Sequence, residues 1–257
     1  VIEKQADLIT HWMRVGFIHG VMNTDNVALS GETIDYGPCA FMDTYDPGTV
    51  FSSIDRMGRY AYANQPTIAQ WNLARLAETL LPIMNDEIEK ATDMAKEAVN
   101  DFGPLYKDKW FAMMRSKLGL FDAQAGDDSL ITDLLDWMNR AGADYTNTFR
   151  DLSQEELPDG EFYATENFQA WQTRWQARLG EEDLDSSLAL RKSVNPVVIP
   201  RNHKVEETLQ TGEEGDLKPF RNLLKALESP YEDGDHLTPY QSPPKPDEKV
   251  HQTFCGT

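Results

Sequence analysis

Three side chains within one short stretch of this 257-residue chain have the types and spacing for chemistry, Asp25, Asn26 and Asp35, and His19 just before them reads as a structural brace of their loop. An amide oxygen and a carboxylate held close together suit a hard cation such as magnesium. A second carboxylate beside them is placed to take a proton from an attacking hydroxyl. That is the metal side of a phosphate-ester transfer site. Between Asn26 and Asp35, the apolar runs Val27-Ala28-Leu29 and Thr33-Ile34 flank Ser30-Gly31-Glu32. This pattern predicts a tight hairpin that brings Asp35 back beside Asn26.

A protein-kinase catalytic loop runs H-R-D-x-x-x-x-N and is followed by D-F-G; its first Asp takes the substrate proton, while the Asn and the second Asp hold metals. Overlaid on that template, His19 falls on the His, Asn26 on the Asn, and Asp35-Tyr36-Gly37 on the D-F-G. One position departs from it. Val21 stands where a kinase has its catalytic Asp, and a valine neither accepts a proton nor orients a hydroxyl. The nearest carboxylate is Asp25. Three readings remain at this point and divide almost evenly: a nucleotidyltransferase in which Asp25 acts from a different point on the loop, an ordinary phosphotransferase, and a noncatalytic scaffold.

The run His19 to Asn26, Asp35-Tyr36-Gly37-Pro38, Tyr45-Asp46-Pro47-Gly48, and Gly58-Arg59-Tyr60 leading to Asn64-Gln65-Pro66 closely resemble the selenoprotein O (SelO, or YdiU) family of pseudokinases. The terminal Phe254-Cys255-Gly256-Thr257 resembles it too. The resemblance is most specific before residue 86 and looser from Asn195 to Glu207 and in the tail. It implies a kinase-like fold that binds ATP in a flipped orientation and transfers AMP, not phosphate, to Ser, Thr or Tyr hydroxyls of proteins. It further implies Asp25 as proton acceptor, Asn26 and Asp35 as ligands of magnesium or manganese, and Asp35 at the nucleotide. The expected partners are therefore ATP and protein substrates.

Composition bears on those classes. Acidic residues number 43 against 24 basic ones, a net charge of −19, which disfavours a nucleic-acid partner because such binding depends on Lys and Arg neutralising phosphates. ATP remains compatible, since metals held on acids neutralise its phosphates locally. No apolar run approaches the roughly 18 residues of a membrane span, so the chain reads as soluble, without a membrane partner. The two cysteines, Cys39 and Cys255, are too few for a disulfide framework. They indicate a reducing compartment: the cytoplasm of a bacterium, or the mitochondrion if the source is eukaryotic. Cys255 reads either as an inert terminal thiol or as a redox latch bonding Cys39, four residues past Asp35.

The elements that must position these residues read as mainly α: a kinase-like C-lobe over residues 1–120 with the short hairpin at the site, a helical extension over 121–228, and an irregular tail over 229–257. No Gly-rich phosphate loop or V-A-I-K-type strand precedes the catalytic loop, so the chain looks like the C-terminal part of a longer protein whose N-lobe is absent here. A helix over 2–17 feeds the loop. Phe41 to Asn64 reads as an ordered segment in which Asp43, Asp46 and Asp55 form turns and caps. Ala69, Leu73, Leu76, Leu80 and Ile83 mark a second helix from Pro66, followed by one whose path Gly103-Pro104 breaks. Further helices carry Leu134 through Phe149, Phe168 through Leu179, Arg201 through Glu207, and Leu217 through Leu227. The row Trp171, Arg174, Trp175, Arg178 has the spacing of a packed helix, not of a base-stacking platform.

Overall fold

The computed structural model describes residues 1–160 and 162–254. Those residues form a mainly helical architecture with one two-stranded sheet, in two compact units. The first comprises Val1–Ala40, Pro47–Phe111 and the segment from Gln252; the second comprises Phe41–Asp46 and Ala112–His251. No helix among the described residues is long and apolar enough to cross a membrane.

In the first unit, α1 (Ile2–Val15) buries Ala6, Ile9, Trp12 and Met13 along one face. Burial of each larger side chain contributes about 1.5–3 kcal/mol. The helix ends at Gly16, whose φ of 73° lets its N–H return to Trp12 O, a left-handed cap that costs glycine nothing. The chain passes directly into β1 (Phe17–Ile18), which pairs with β2 (Ala40–Phe41). The predicted hairpin is present as a single antiparallel bridge, Val27 to Thr33, closed by Gly31 N–H donating to Ala28 O at 3.1 Å. Its arms lean on α1: Gln5 Nε2 donates to Ala28 O (2.7 Å) and Trp12 Nε1 to Thr33 Oγ1 (2.9 Å). A Cβ at Gly31 would fall 2.8 Å from Lys4 Cβ, so the turn reaches α1 only as glycine.

Next comes α2 (Gln65–Met84), with Pro66 in its first turn, packed on α1 and on α3 (Ile88–Asn100). Its apolar stripe is core only at the N-terminal end: Ala69 and Leu73 are buried, whereas Ile83 is 81% exposed. The break expected at Gly103-Pro104 lies at Asp101. Both residues sit in the first turn of α4 (Phe102–Lys117), where helical N–H groups lack intrahelical acceptors and proline's missing donor costs little.

In the second unit, the helix expected to run through Phe149 is two helices, α5 (Asp127–Ala141) and α6 (Tyr145–Asp151). Gly142 ends the first at φ 67°, and Asp144 caps the second by accepting from Asn147 N–H. In α7 (Glu166–Leu179), Trp171 and Trp175 are buried, stacked at 5.5 Å, and donate their indole N–H groups to Leu130 O and Leu118 O. With both indole donors engaged, the two tryptophans are core, while Arg174 stays half exposed in an ion pair with Asp133. Not foreseen from the sequence is α8 (Leu184–Val194), which Asp183 caps through Ser186 N–H.

Three helices remain, α9 (Asn202–Glu213), α10 (Lys218–Ala226) and α11 (Thr238–Gln241). The stretch expected to be an irregular tail is partly ordered core: Leu237, 1% exposed, packs with Val197, Val198 and Ala226. Arg201, also 1% exposed, gathers Asp43 and Asp144 onto Nη1 at 2.7 and 2.6 Å and places Nη2 on Asn147 Oδ1 and Gln241 O. Asp43 is thereby consumed by an ion pair, not by a turn.

Candidate functional site

The loop from His19 to Gly37 is held from beneath by neutral side chains. Gln65, fully buried in the first turn of α2, accepts from His19 N–H at 3.0 Å and donates to Phe17 O at 3.0 Å. Asn72, about two turns further along α2's buried side, donates to Met22 O at 3.0 Å. Tyr60 Oη donates to Asn23 Oδ1 at 2.7 Å. Gly20 has φ 82°, and a Cβ there would lie 2.9 Å from Pro38 O, so the turn tolerates only glycine. Pro38 is tied in turn by Thr253 Oγ1, which donates to its carbonyl at 2.5 Å. Thr253 also bridges in parallel to Ser52, with backbone bonds to Phe51 O and Ser53 N.

His19 is 0% exposed and works as a brace. Its Nε2 donates to Ile34 O at 2.8 Å, while Nδ1 accepts a longer bond of 3.4 Å from Val21 N–H. That pattern requires the neutral ring, and burial does lower the His19 pKa below its ordinary 6.5. Val21 is buried, 7% exposed, and its backbone forms a hub: its N–H goes to His19 and its carbonyl accepts from Asn26 Nδ2 at 3.0 Å. Through Val21, Asn26 and the residue before Asp35 are tied to the same histidine.

The candidate chemical groups emerge from this braced floor. Asp25 is exposed on a 3-10 turn, Thr24–Asn26, and Asn26 is half-buried with its amide donor committed, which leaves Oδ1 as an acceptor. Asp35 is exposed and is the only non-glycine at positive φ (56°) among the described residues. Such a backbone costs about 1–3 kcal/mol and clusters at functional sites. Its Oδ1 accepts from Gly37 N–H at 3.3 Å, leaving Oδ2 open. Neither Asp25 nor Asp35 has a salt bridge among the described residues.

The remaining sequence candidates fall elsewhere. Asp55 caps a turn, accepting from Arg59 and Tyr60 N–H. Cys39 is half-buried, and burial, with Asp35 nearby, pushes its thiol up to about 11, so it is protonated and a slow nucleophile at neutral pH. Cys255 lies outside the described residues. Sequence reasoning gives no bracing role to Gln65, Asn72 or Thr253. Gln65 is marked only as part of the Asn64-Gln65-Pro66 run, and Asn72 only as a polar residue beside Leu73 on an otherwise apolar helix face; nothing local marks Thr253.

Comparison with known proteins bears out the family resemblance. A family model described as protein adenylyltransferase SelO matches residues 1–228. The chain is 58% identical to the protein nucleotidyltransferase YdiU of Alcanivorax borkumensis over 260 aligned residues, covering 100% of this chain and 54% of that protein. It is 57% identical to the protein of that name from Nitrosococcus oceani and 54% identical to that from Syntrophotalea carbinolica, covering 53% of each. The chain thus spans about half the length of the curated relatives it matches. The match with the family model over 228 residues, together with these identities, shows that the chain belongs to the SelO protein adenylyltransferase family.

Proposed function

We propose that the protein, at the full length of its relatives, transfers AMP from ATP to Ser, Thr or Tyr hydroxyls of protein substrates on a kinase-like scaffold, with this loop as its metal and base side. The observation that carries the reading is the buried Val21 in the position of a kinase's base, beside an exposed Asp25 on the same braced turn. A base displaced in this way suits a nucleotide turned end for end. Asp25 accepts the proton as the substrate hydroxyl oxygen attacks the α-phosphorus; the bond from that phosphorus to the bridging oxygen breaks, and pyrophosphate leaves. General-base assistance of this kind is worth about 10²- to 10⁴-fold.

Asn26 Oδ1 and Asp35 fit a magnesium or manganese ion. Both offer hard oxygen, the donor type these cations take, and a set of two protein ligands leaves room for waters and phosphate oxygens, as Mg²⁺ prefers. When bound, the ion supplies charge neutralisation at the phosphates. Asp35's fixed left-handed backbone and the His19 to Ile34 bond then serve to keep its carboxylate oriented.

Labelling tests the reaction class. ATP labelled at the α-phosphate should mark protein substrates, and ATP labelled at the γ-phosphate should not. Transfer of γ-label would make the protein a phosphotransferase, and no transfer of either label would make it a scaffold. The chain spans about half the length of its relatives, and calorimetry on these 257 residues alone should find ATP binding weaker than micromolar.

A further inference from the structure

The second unit contains a cavity of about 750 Å³ between the turn after α6, α7 and α8, within the range of roughly 300–1,000 Å³ usual for small-ligand sites. Arg191 forms part of its wall. That side chain is 6% exposed, its guanidinium lies 5.3 Å over the Trp175 ring, Nε donates to Ser187 O, and Nη1 donates to Leu152 O. Among the described residues, no carboxylate lies within ion-pair distance of it and Nη2 makes no hydrogen bond. Burial alone lowers its pKa from the ordinary arginine value, with no neighbouring acid to offset it.

A buried guanidinium without a counter-charge is costly. The other buried arginines of this unit show the contrast: Arg201 closes on Asp43 and Asp144, and Arg150 on Asp233. Both neighbouring acids and apolar walls line the same cavity. Glu155, Glu156 and Asp185 are exposed around it, while Leu152 and Leu188 line it with Trp175. A bare phosphate would meet three carboxylates before reaching the arginine. A ligand carrying both charges would satisfy each part.

We propose that this cavity binds a ligand with a carboxylate on Arg191, an apolar body against Trp175 and Leu188, and a cationic group toward Glu155, Glu156 and Asp185. Two sources share that chemistry, a free α-amino acid with an apolar side chain and the C-terminus of a peptide ending in a basic and then an apolar residue. The site is independent of the nucleotide chemistry proposed for the loop.

Calorimetry on the 257-residue chain with L-leucine, with acetyl-Ala-Lys-Leu bearing a free carboxylate, and with the same peptide amidated tests it. Binding of leucine identifies an amino-acid site, and binding of the free-acid peptide alone identifies a peptide terminus; both support the proposal. Amidation should weaken the peptide about tenfold or more, the range of a charged hydrogen-bonded pair. Glu156→Gln should weaken both cationic probes while leaving N-acetyl-leucine, which carries only the carboxylate, bound as tightly or more tightly. Arg191→Met should abolish binding. Should that variant fail to fold, Leu184→Trp, at a cavity position 60% exposed, should block the cavity without touching Arg191. No binding by any probe up to about 1 mM, equal affinity for the amidated peptide, or full affinity in Leu184→Trp would overturn the proposal.

Discussion

The catalytic-type loop of the first unit and the Arg201 hub of the second each concentrate acids, and they treat them in opposite ways. In the hub, Asp43 and Asp144 have side chains only 12% and 14% exposed and both close on one guanidinium. The fold itself uses up their charge. In the loop, Asp25 and Asp35 are exposed and unpaired with any Lys or Arg, and every brace around them is neutral: Gln65, Asn72, His19, Tyr60 and Trp12. Rigid backbone with uncompensated acid at its surface is an arrangement that leaves charge available to a ligand's cation. Acids spent on the fold and acids left open at its surface are thus distinguished by what surrounds them.

The sharpest way to break this contrast is at the hub. Arg201→Met strands two buried carboxylates, and the expected loss is about 3–5 kcal/mol of stability in urea melts; a loss below 1 kcal/mol, on the order of a surface pair, would mean the acids are not held by the arginine. Next is the neutral bracing. Gln65→Leu leaves His19 N–H and Phe17 O without partners in the core, a cost of about 2–4 kcal/mol at typical values for unsatisfied buried groups. An effect confined to activity with unchanged melting would remove Gln65 from the set of braces.

Acid should act on the loop through His19. Burial lowers its folded pKa below 6.5, so as pH falls through 6.5 the unfolded chain takes up the proton first. The stability His19 contributes is complete above that pH and declines below it. His11 and His203 are also lowered by burial, so the measurement is the difference in melting profiles between the native chain and His19→Gln, which should flatten the acid limb. The smallest effect belongs to the exposed acids: Asp25→Asn and Asp35→Asn should each change stability by no more than about 0.5 kcal/mol.

The loop was legible because its residues are local: His19, Val21, Asp25, Asn26 and Asp35 follow one another in one short stretch, and the turn at Gly31 follows from its residue types. The helices of the first unit followed from their apolar period for the same reason. What stayed hidden depends on distant partners. Gln65 meets His19 across 46 residues and Thr253 meets Pro38 across 215, and no periodicity reports such pairs. The division of α5 from α6 turned on Gly142 taking a left-handed cap, a signal present in the sequence but outweighed by the apolar stripe continuing past it. Asp43 read as a turn former because the arginine that claims it lies 158 residues away.

The central claim is that Asp25 and Asp35, although both exposed on one braced loop, do different work. The direct measurement compares Asp25→Ala with Asp35→Ala in the protein at its relatives' full length, following ATP binding by calorimetry and transfer from α-labelled ATP on the same preparations. Asp25→Ala should keep nucleotide affinity within about twofold while losing transfer by about 10²- to 10⁴-fold, and Asp35→Ala should lose both. Full transfer in Asp25→Ala, or unaltered metal-dependent ATP binding in Asp35→Ala, would contradict the assignment.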